Sequence, residues 1–262
     1  MHIRLGILMA IALLTASACT AVAQTTMTWT IDGVKRQALV FAPKPTTSEI
    51  KHPLVLGFHG HGGNMNAAAQ GMHIQNLWPE AIVVYPQGLP TPTVIDPQGL
   101  RPGWQNERGQ QGDRDLKLFD EIVATMRQRF SVDEKRIYST GFSNGGVFSY
   151  LLWAERGKII AAIGECAGRL FPSEHPVEPR AVLVIAGRAD TTNPFALQQQ
   201  SIETARQVDS ATGPGQACGQ NCTFYASTTQ TPVKTFIHPG GHVYPPWAPD
   251  RIVEFFKAHK QN

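Results

Sequence analysis

The sequence predicts an α/β fold: one single-domain, mostly parallel sheet of about eight strands, with an antiparallel N-terminal hairpin and helices on both faces. Three observations carry that expectation. Short continuous apolar runs recur along the chain, separated by stretches long enough for helices, as in strands buried on both sides. Asp32-Gly33 separates two β-rich segments, the two-residue signal of a hairpin. The 262 residues are 42% hydrophobic and 16% charged, with 24 Gly and 19 Pro, which excludes a disordered chain, a collagen and a coiled coil.

The opening residues read as a targeting segment outside that domain. Arg4 is followed by an apolar run from Leu5 to Leu14 and by Ala21-Val22-Ala23, a small-residue cleavage pattern. The expectation is a signal peptide over 1–23, a catalytic domain over 24–262, and a secreted or periplasmic protein. The apolar run is too short to cross a bilayer, so no membrane association is expected. Cys19 follows Ala16-Ser17-Ala18 and lacks the Leu that usually stands three before a lipidated cysteine.

In the domain, strands are expected at 28–31, 34–41, 54–58, 81–85, 136–140, 159–163, 181–186 and 233–237. A helix over 115–130 repeats apolar residues at helical spacing from Leu116 to Phe130, with Asp113 as its expected N-cap. Another helix should start near Asn144. Cys218 and Cys222 enclose Gly219-Gln220-Asn221 and should form a small-loop disulfide, leaving Cys166 free and buried. Lys plus Arg exceed Asp plus Glu by only 23 to 20, without a run of five like charges, so no nucleic-acid partner is expected.

Chemistry should lie in the loops at the carboxyl ends of the strands. After the run 136–140 stands Gly141-Phe142-Ser143-Asn144-Gly145-Gly146, a G-x-S-x-G pattern between a strand and a helix. A serine on so tight a turn projects its hydroxyl above the sheet, with a helix N-terminus behind it to favour an anion. Ser143 is therefore the expected nucleophile. A hydroxyl needs a base, and the base an orienting acid. Asp190 follows the run 181–186 and His242 follows 233–237, giving the chain order Ser, Asp, His of the α/β-hydrolases. His238, at its strand end, is expected to be structural; Asp209, in a helix tail, and Asp250, near a helix start, are the lesser alternatives for the acid. His59-Gly60-His61-Gly62-Gly63-Asn64 is a glycine-rich turn after the run 54–58. The N–H of Gly60 or His61, together with that of Asn144, is expected to form an oxyanion hole. A zinc pair at His59 and His61 lacks a third ligand, and no metal or cofactor is expected.

These segments, spread from residue 29 to 258, resemble the α/β-hydrolase family that holds polyhydroxybutyrate depolymerases and feruloyl esterases, the carbohydrate esterase family 1 type. The resemblance rests on Phe58-His59-Gly60, on Arg136-Ile137-Tyr138 leading into the serine turn, on the loop ending in Asp190, and on Gly240-Gly241-His242. It implies a serine ester hydrolase acting through an acyl-enzyme, with Ser143, Asp190 and His242 as the triad. Two departures stand out. Many members carry a disulfide-forming cysteine where this chain has His61, and the polymer-degrading members commonly carry a further binding module.

Only 16 residues, 165 to 180, separate the end of one strand region from the acid strand, which leaves no room for a lid domain and suggests an open cleft for a bulky or polymer-attached ester, on a polysaccharide or a polyester. Trp104, in the long loop 86–112, together with Phe195 and Trp247, either lines that cleft as substrate-binding aromatics or belongs to the core. The readings from other classes are a serine peptidase of the same fold and a noncatalytic binder that keeps the fold.

Overall fold

The computed structural model describes residues 21–44 and 50–261. The signal-peptide expectation therefore falls outside the described residues except for Ala21 to Ala23, which open the first strand. The strands are β1 (Ala21–Ile31), β2 (Val34–Lys44), β3 (His52–Phe58), β4 (Ile82–Pro86), β5 (Leu89–Pro90), β6 (Pro102–Gly103), β7 (Val132–Phe142), β8 (Ala162–Cys166), β9 (Ala181–Gly187), β10 (Gln216–Ala217), β11 (Cys222–Tyr225) and β12 (Val233–His238). The helices are α1 (Met65–Met72), α2 (Ile74–Leu77), α3 (Arg114–Arg129), α4 (Asn144–Arg156), α5 (Phe195–Val208) and α6 (Ala248–Ala258).

Ten strands form one sheet in the order β1-β2-β4-β3-β7-β8-β9-β12-β11-β10, and β5 pairs only with β6. From β4 through β12 every pairing in that order is parallel; the β1–β2 hairpin and the β11 and β10 strands add antiparallel edges. Asp32 and Gly33 turn the hairpin with φ of 49° and 80°, the two positive values that match a tight turn to strand twist. The sheet has ten strands where the sequence suggests about eight, because β10 and β11, two and four residues long, are too short to show a strand pattern. A disulfide joins Cys218 to Cys222 beside them, and Cys166 is free and buried.

The alternation of side chains along each strand sorts the core into two layers. Leu54, Leu56 and Val184 face α3, α4 and α5, whereas Val55, Leu183 and Ile185 face α1 and α6. Strand β8 begins three residues after the expected start at 159. Residues 157–159 turn away from α4, and Ile160 and Ala161 are buried without being strand, so burial there imitates a strand pattern.

Asp113 stands at the N-cap position of α3 as expected, but its side chain makes no capping hydrogen bond. Its φ is 59° and its carboxylate faces backward, accepting the N–H of Gly109 at 2.7 Å and the amide of Gln105 at 2.8 Å. Gln105 takes over the cap: its Oε1 accepts the N–H groups of Asp115 and Leu116. Asp115 in turn accepts the Gln105 N–H at 2.9 Å and pairs with Arg36 of β2 at 2.8 Å, both side chains fully buried. Three elements, β2, α3 and the long loop, are thus locked at one buried ion pair, and the loop leaves that lock to pass over the carboxyl ends of the strands.

Candidate active site

The turn between β7 and α4 sets the geometry of everything around it. Ser143 has φ 56° and ψ −118°, a setting that costs a residue with a side chain on the order of 1–3 kcal/mol. Its neighbours allow it because they are glycines. A Cβ at Gly141 would stand 2.2 Å from the backbone of Gly145, and one at Gly145 would stand 2.2 Å from the Phe58 carbonyl oxygen. The strand-to-helix reversal thus packs backbone on backbone, and the serine hydroxyl is the group left projecting.

That hydroxyl meets an imidazole. Ser143 Oγ lies 2.8 Å from His242 Nε2, and His242 Nδ1 lies 2.8 Å from Asp190 Oδ2. A carboxylate can only accept there, so the imidazole carries its proton on Nδ1 and leaves Nε2 to accept from the serine. The Asp190 side chain is fully buried and surrounded by donors: the N–H groups of Thr192 and Asn193 reach Oδ1 at 2.9 Å, and Gln198 Nε2 reaches Oδ2 at 2.9 Å. Gln198, the buried amide on α5, has no local motif and was not expected; only the fold brings it against residue 190.

His238 is not in this chain of contacts. Its Nδ1 accepts the N–H of Gly240 at 3.1 Å, and burial holds its imidazole below the ordinary value against the pull of Asp190. Asp209 caps the end of α5, accepts the Arg180 N–H and is pushed up to about 8 by burial; Asp250 is exposed in the first turn of α6.

The loop 59–63 faces the serine from the end of β3. His59 donates from Nδ1 to the Gly60 carbonyl at 2.8 Å and accepts the Gly88 N–H at Nε2 at 3.0 Å, so both ring nitrogens are occupied by backbone, and burial lowers its pKa. His61 turns the other way, to Asp96 Oδ2 at 3.0 Å. The N–H of Asn144 is the first of α4 and has no helical acceptor, and the N–H of His61 makes no bond to a backbone carbonyl.

The three aromatics considered for the cleft lie elsewhere. Trp104 is fully buried: its indole N–H donates to the His59 carbonyl at 2.8 Å, its ring stacks on Phe148, and its backbone is clasped by the Asn144 side chain on both N–H and carbonyl. Its place is a pin between the 59–63 loop and α4, out of reach of any ligand. Phe195 packs half-buried beneath the Arg188 guanidinium, and Trp247 lies against Phe236 and His238. A packing choice of this kind is invisible to local pattern, since a large aromatic is equally at home under a loop or beside a ligand.

The serine instead opens on a cavity of about 320 Å³ whose walls come mainly from loops, with His61 on one side and Val147 of α4 and Leu197 of α5 completing them. Val94 and Ile95 belong to the long loop, Arg169 and Phe171 to the segment after β8, and Thr192 and Leu197 to the region after the acid. A second cavity of about 370 Å³, lined by small residues of α1 together with Phe142 and Tyr244, lies along the 59–63 loop. A larger one of about 590 Å³ sits between β2 and α1 and does not border Ser143.

No family model matches the chain. In sequence it is similar to a probable feruloyl esterase C of Aspergillus flavus, 29% identical over 238 residues that cover 85% of this chain and 84% of the relative. It is likewise 29% identical over 222 residues to feruloyl esterase C of Emericella nidulans, covering 79% and 78%. In structure it overlays on a ferulic acid esterase with a TM-score of 0.65 at 14% identity, over 91% of this chain and 98% of the other. An acetyl xylan esterase from Aspergillus awamori gives 0.65 at 13% identity, over 89% and 99%. The chain has the α/β-hydrolase fold and is similar in sequence over most of its length to proteins named as feruloyl esterases.

Proposed function

We propose that the protein is a serine ester hydrolase that works through an acyl-enzyme. The observation that supports it most is the continuous contact from Ser143 Oγ through His242 to Asp190, each step 2.8 Å, at a serine held above a helix N-terminus. In this reading His242 Nε2 takes the serine proton as Oγ attacks an ester carbonyl, and the Asp190 carboxylate steadies the imidazolium that forms. The N–H groups of Asn144 and of His61 or Gly60 receive the oxyanion. The intermediate collapses by giving the proton from His242 to the leaving alcohol, and water then repeats the sequence on the acyl group. Relatives named as feruloyl esterases make carboxylic ester hydrolysis the matching chemistry.

The finer reading is an ester attached to a polysaccharide or a hydroxyalkanoate polyester, cleaved outside the cytosol. A disulfide at Cys218 and Cys222 fits an oxidising compartment, and the cavity at Ser143 is walled mainly by loops, with Val147 of α4 and Leu197 of α5, and among the described residues takes no wall from a separate lid domain. The test is Ser143→Ala, assayed on short-chain nitrophenyl esters, methyl ferulate and hydroxybutyrate oligomers. Turnover should disappear on every ester that the parent enzyme cleaves while thermal unfolding stays in place. Retained turnover would refute the assignment.

A further inference from the structure

The cavity at Ser143 carries charge of one sign. Among the described residues, the only titratable side chain on its wall besides Arg169 is His61, already committed to Asp96, and no Asp, Glu or Lys borders it. The Arg169 guanidinium carbon lies over the Phe171 ring, 4.0 Å from its centroid, and the side chain makes no hydrogen bond or ion pair to any described residue. The nearest relevant carboxylate, Glu107, is engaged by the hydroxyl of Ser173 and the amide of Gln110. Arg169 is also held in place from both sides. The Gly168 N–H is bound by Glu165 at 2.7 Å and the Leu170 N–H by the Ser201 hydroxyl at 2.8 Å, so the backbone that carries the arginine is fixed. A guanidinium offers five donors in a planar fork, and one that is stacked, half-buried and unpaired beside a reactive hydroxyl is arranged for an oxygen acceptor brought by a ligand.

We propose that Arg169 is a specificity-determining residue of this cavity, selecting ester substrates that carry an oxygen acceptor, either a carboxylate or the phenol and ether oxygens of an aromatic ring. The proposal rests on the reading of Ser143 as the nucleophile of an ester hydrolase. Its side chain does not touch the reacting bond; it selects by binding. Burial of the guanidinium, which lowers its pKa against the pull of Glu107, strengthens each bond it makes.

Two substrate pairs separate the two sources of oxygen: mono-4-nitrophenyl glutarate against 4-nitrophenyl pentanoate, and methyl ferulate against methyl cinnamate. In the parent enzyme the oxygen-bearing member of at least one pair should be preferred about tenfold in kcat/KM, the size of a hydrogen bond to a charged group, with the difference in KM. Arg169→Met keeps the apolar stem over Phe171 and should bring that ratio close to one. Arg169→Lys should restore the glutarate preference, a matter of point charge, and not the ferulate preference, which uses the planar fork. A glutarate preference should also shrink as salt is added. Ratios near one in the parent, or a ratio that Arg169→Met leaves unchanged, overturn the proposal while hydrolysis itself, lost in Ser143→Ala, stands. If the parent cleaves none of the four esters, the hydrolase reading fails instead, and the arginine is then judged by calorimetric binding of glutarate and ferulate to the parent and to Arg169→Met. Equal affinity for both proteins sinks it.

Discussion

Two buried carboxylates stand at the ends of neighbouring strands, Asp190 after β9 and Glu165 within β8, and the fold treats them oppositely. Asp190 accepts four hydrogen bonds, two from backbone N–H groups, one from Gln198 and one from His242. Glu165 sits beneath the first turn of α4 with the Gly168 N–H at 2.7 Å and only a long contact to the Tyr150 hydroxyl at 3.4 Å. Burial, with the charge of Asp190 adding to it, pushes Glu165 up to about 8. Equal depth thus yields a carboxylate set to hold a neighbouring imidazole in one case and a carboxyl that keeps its proton at neutral pH in the other. Donor count, not burial, decides which of the two can steady a positive charge.

Replacing each acid by its amide tests that contrast most directly. Asp190→Asn should lower kcat about 10³- to 10⁴-fold, because the amide favours the wrong imidazole tautomer, and initial-rate assays on a nitrophenyl ester will read it. Loss below tenfold would mean that residue 190 is merely one more buried acid. Gln198→Leu removes one of the four donors and should cost about tenfold in kcat, with KM nearly unchanged. Glu165→Gln mimics the protonated side chain and should leave kcat within about twofold. Its signature lies in stability instead. The folded chain holds the Glu165 proton up to about pH 8, whereas the unfolded chain loses it near 4.5, so between those values the fold carries the extra proton and the parent loses stability as pH rises. Denaturant unfolding at pH 5 and pH 9 should therefore show Glu165→Gln gaining on the parent by on the order of 4 kcal/mol at the higher pH. Equal slopes for both proteins would erase the distinction between the two acids. Tyr150→Phe is the smallest change: the lost contact is long, and stability should fall by about 1 kcal/mol or less.

The same contrast marks what the sequence could tell. Asp190 was legible because a strand, a glycine and an acid in that order fall at a loop where ligands gather, and Ser143 because its flanking glycines state a backbone requirement. His242 followed from order along the chain. Glu165 looked like any strand residue, and Gln198 like any helix residue, because their significance comes only from what the fold sets beside them. The side-chain cap of α3 went to Gln105, not Asp113, for a similar reason: a side chain returning from a loop can satisfy a helix end as well as one adjacent in sequence. The cavity wall was least legible. Ile95, Arg169 and Thr192 are far apart along the chain and none belongs to a motif, while the conspicuous Trp104 proved to be fastening.

The setting of residue 143 has one more consequence. A left-handed φ with ψ of −118° suits glycine far better than serine, so the turn would relax if its hydroxyl were deleted together with its Cβ. Directed evolution of this chain for heat resistance alone should find Ser143→Gly among its rewards, and a screen without an activity gate would drift toward a sturdier protein with no hydroxyl above the sheet.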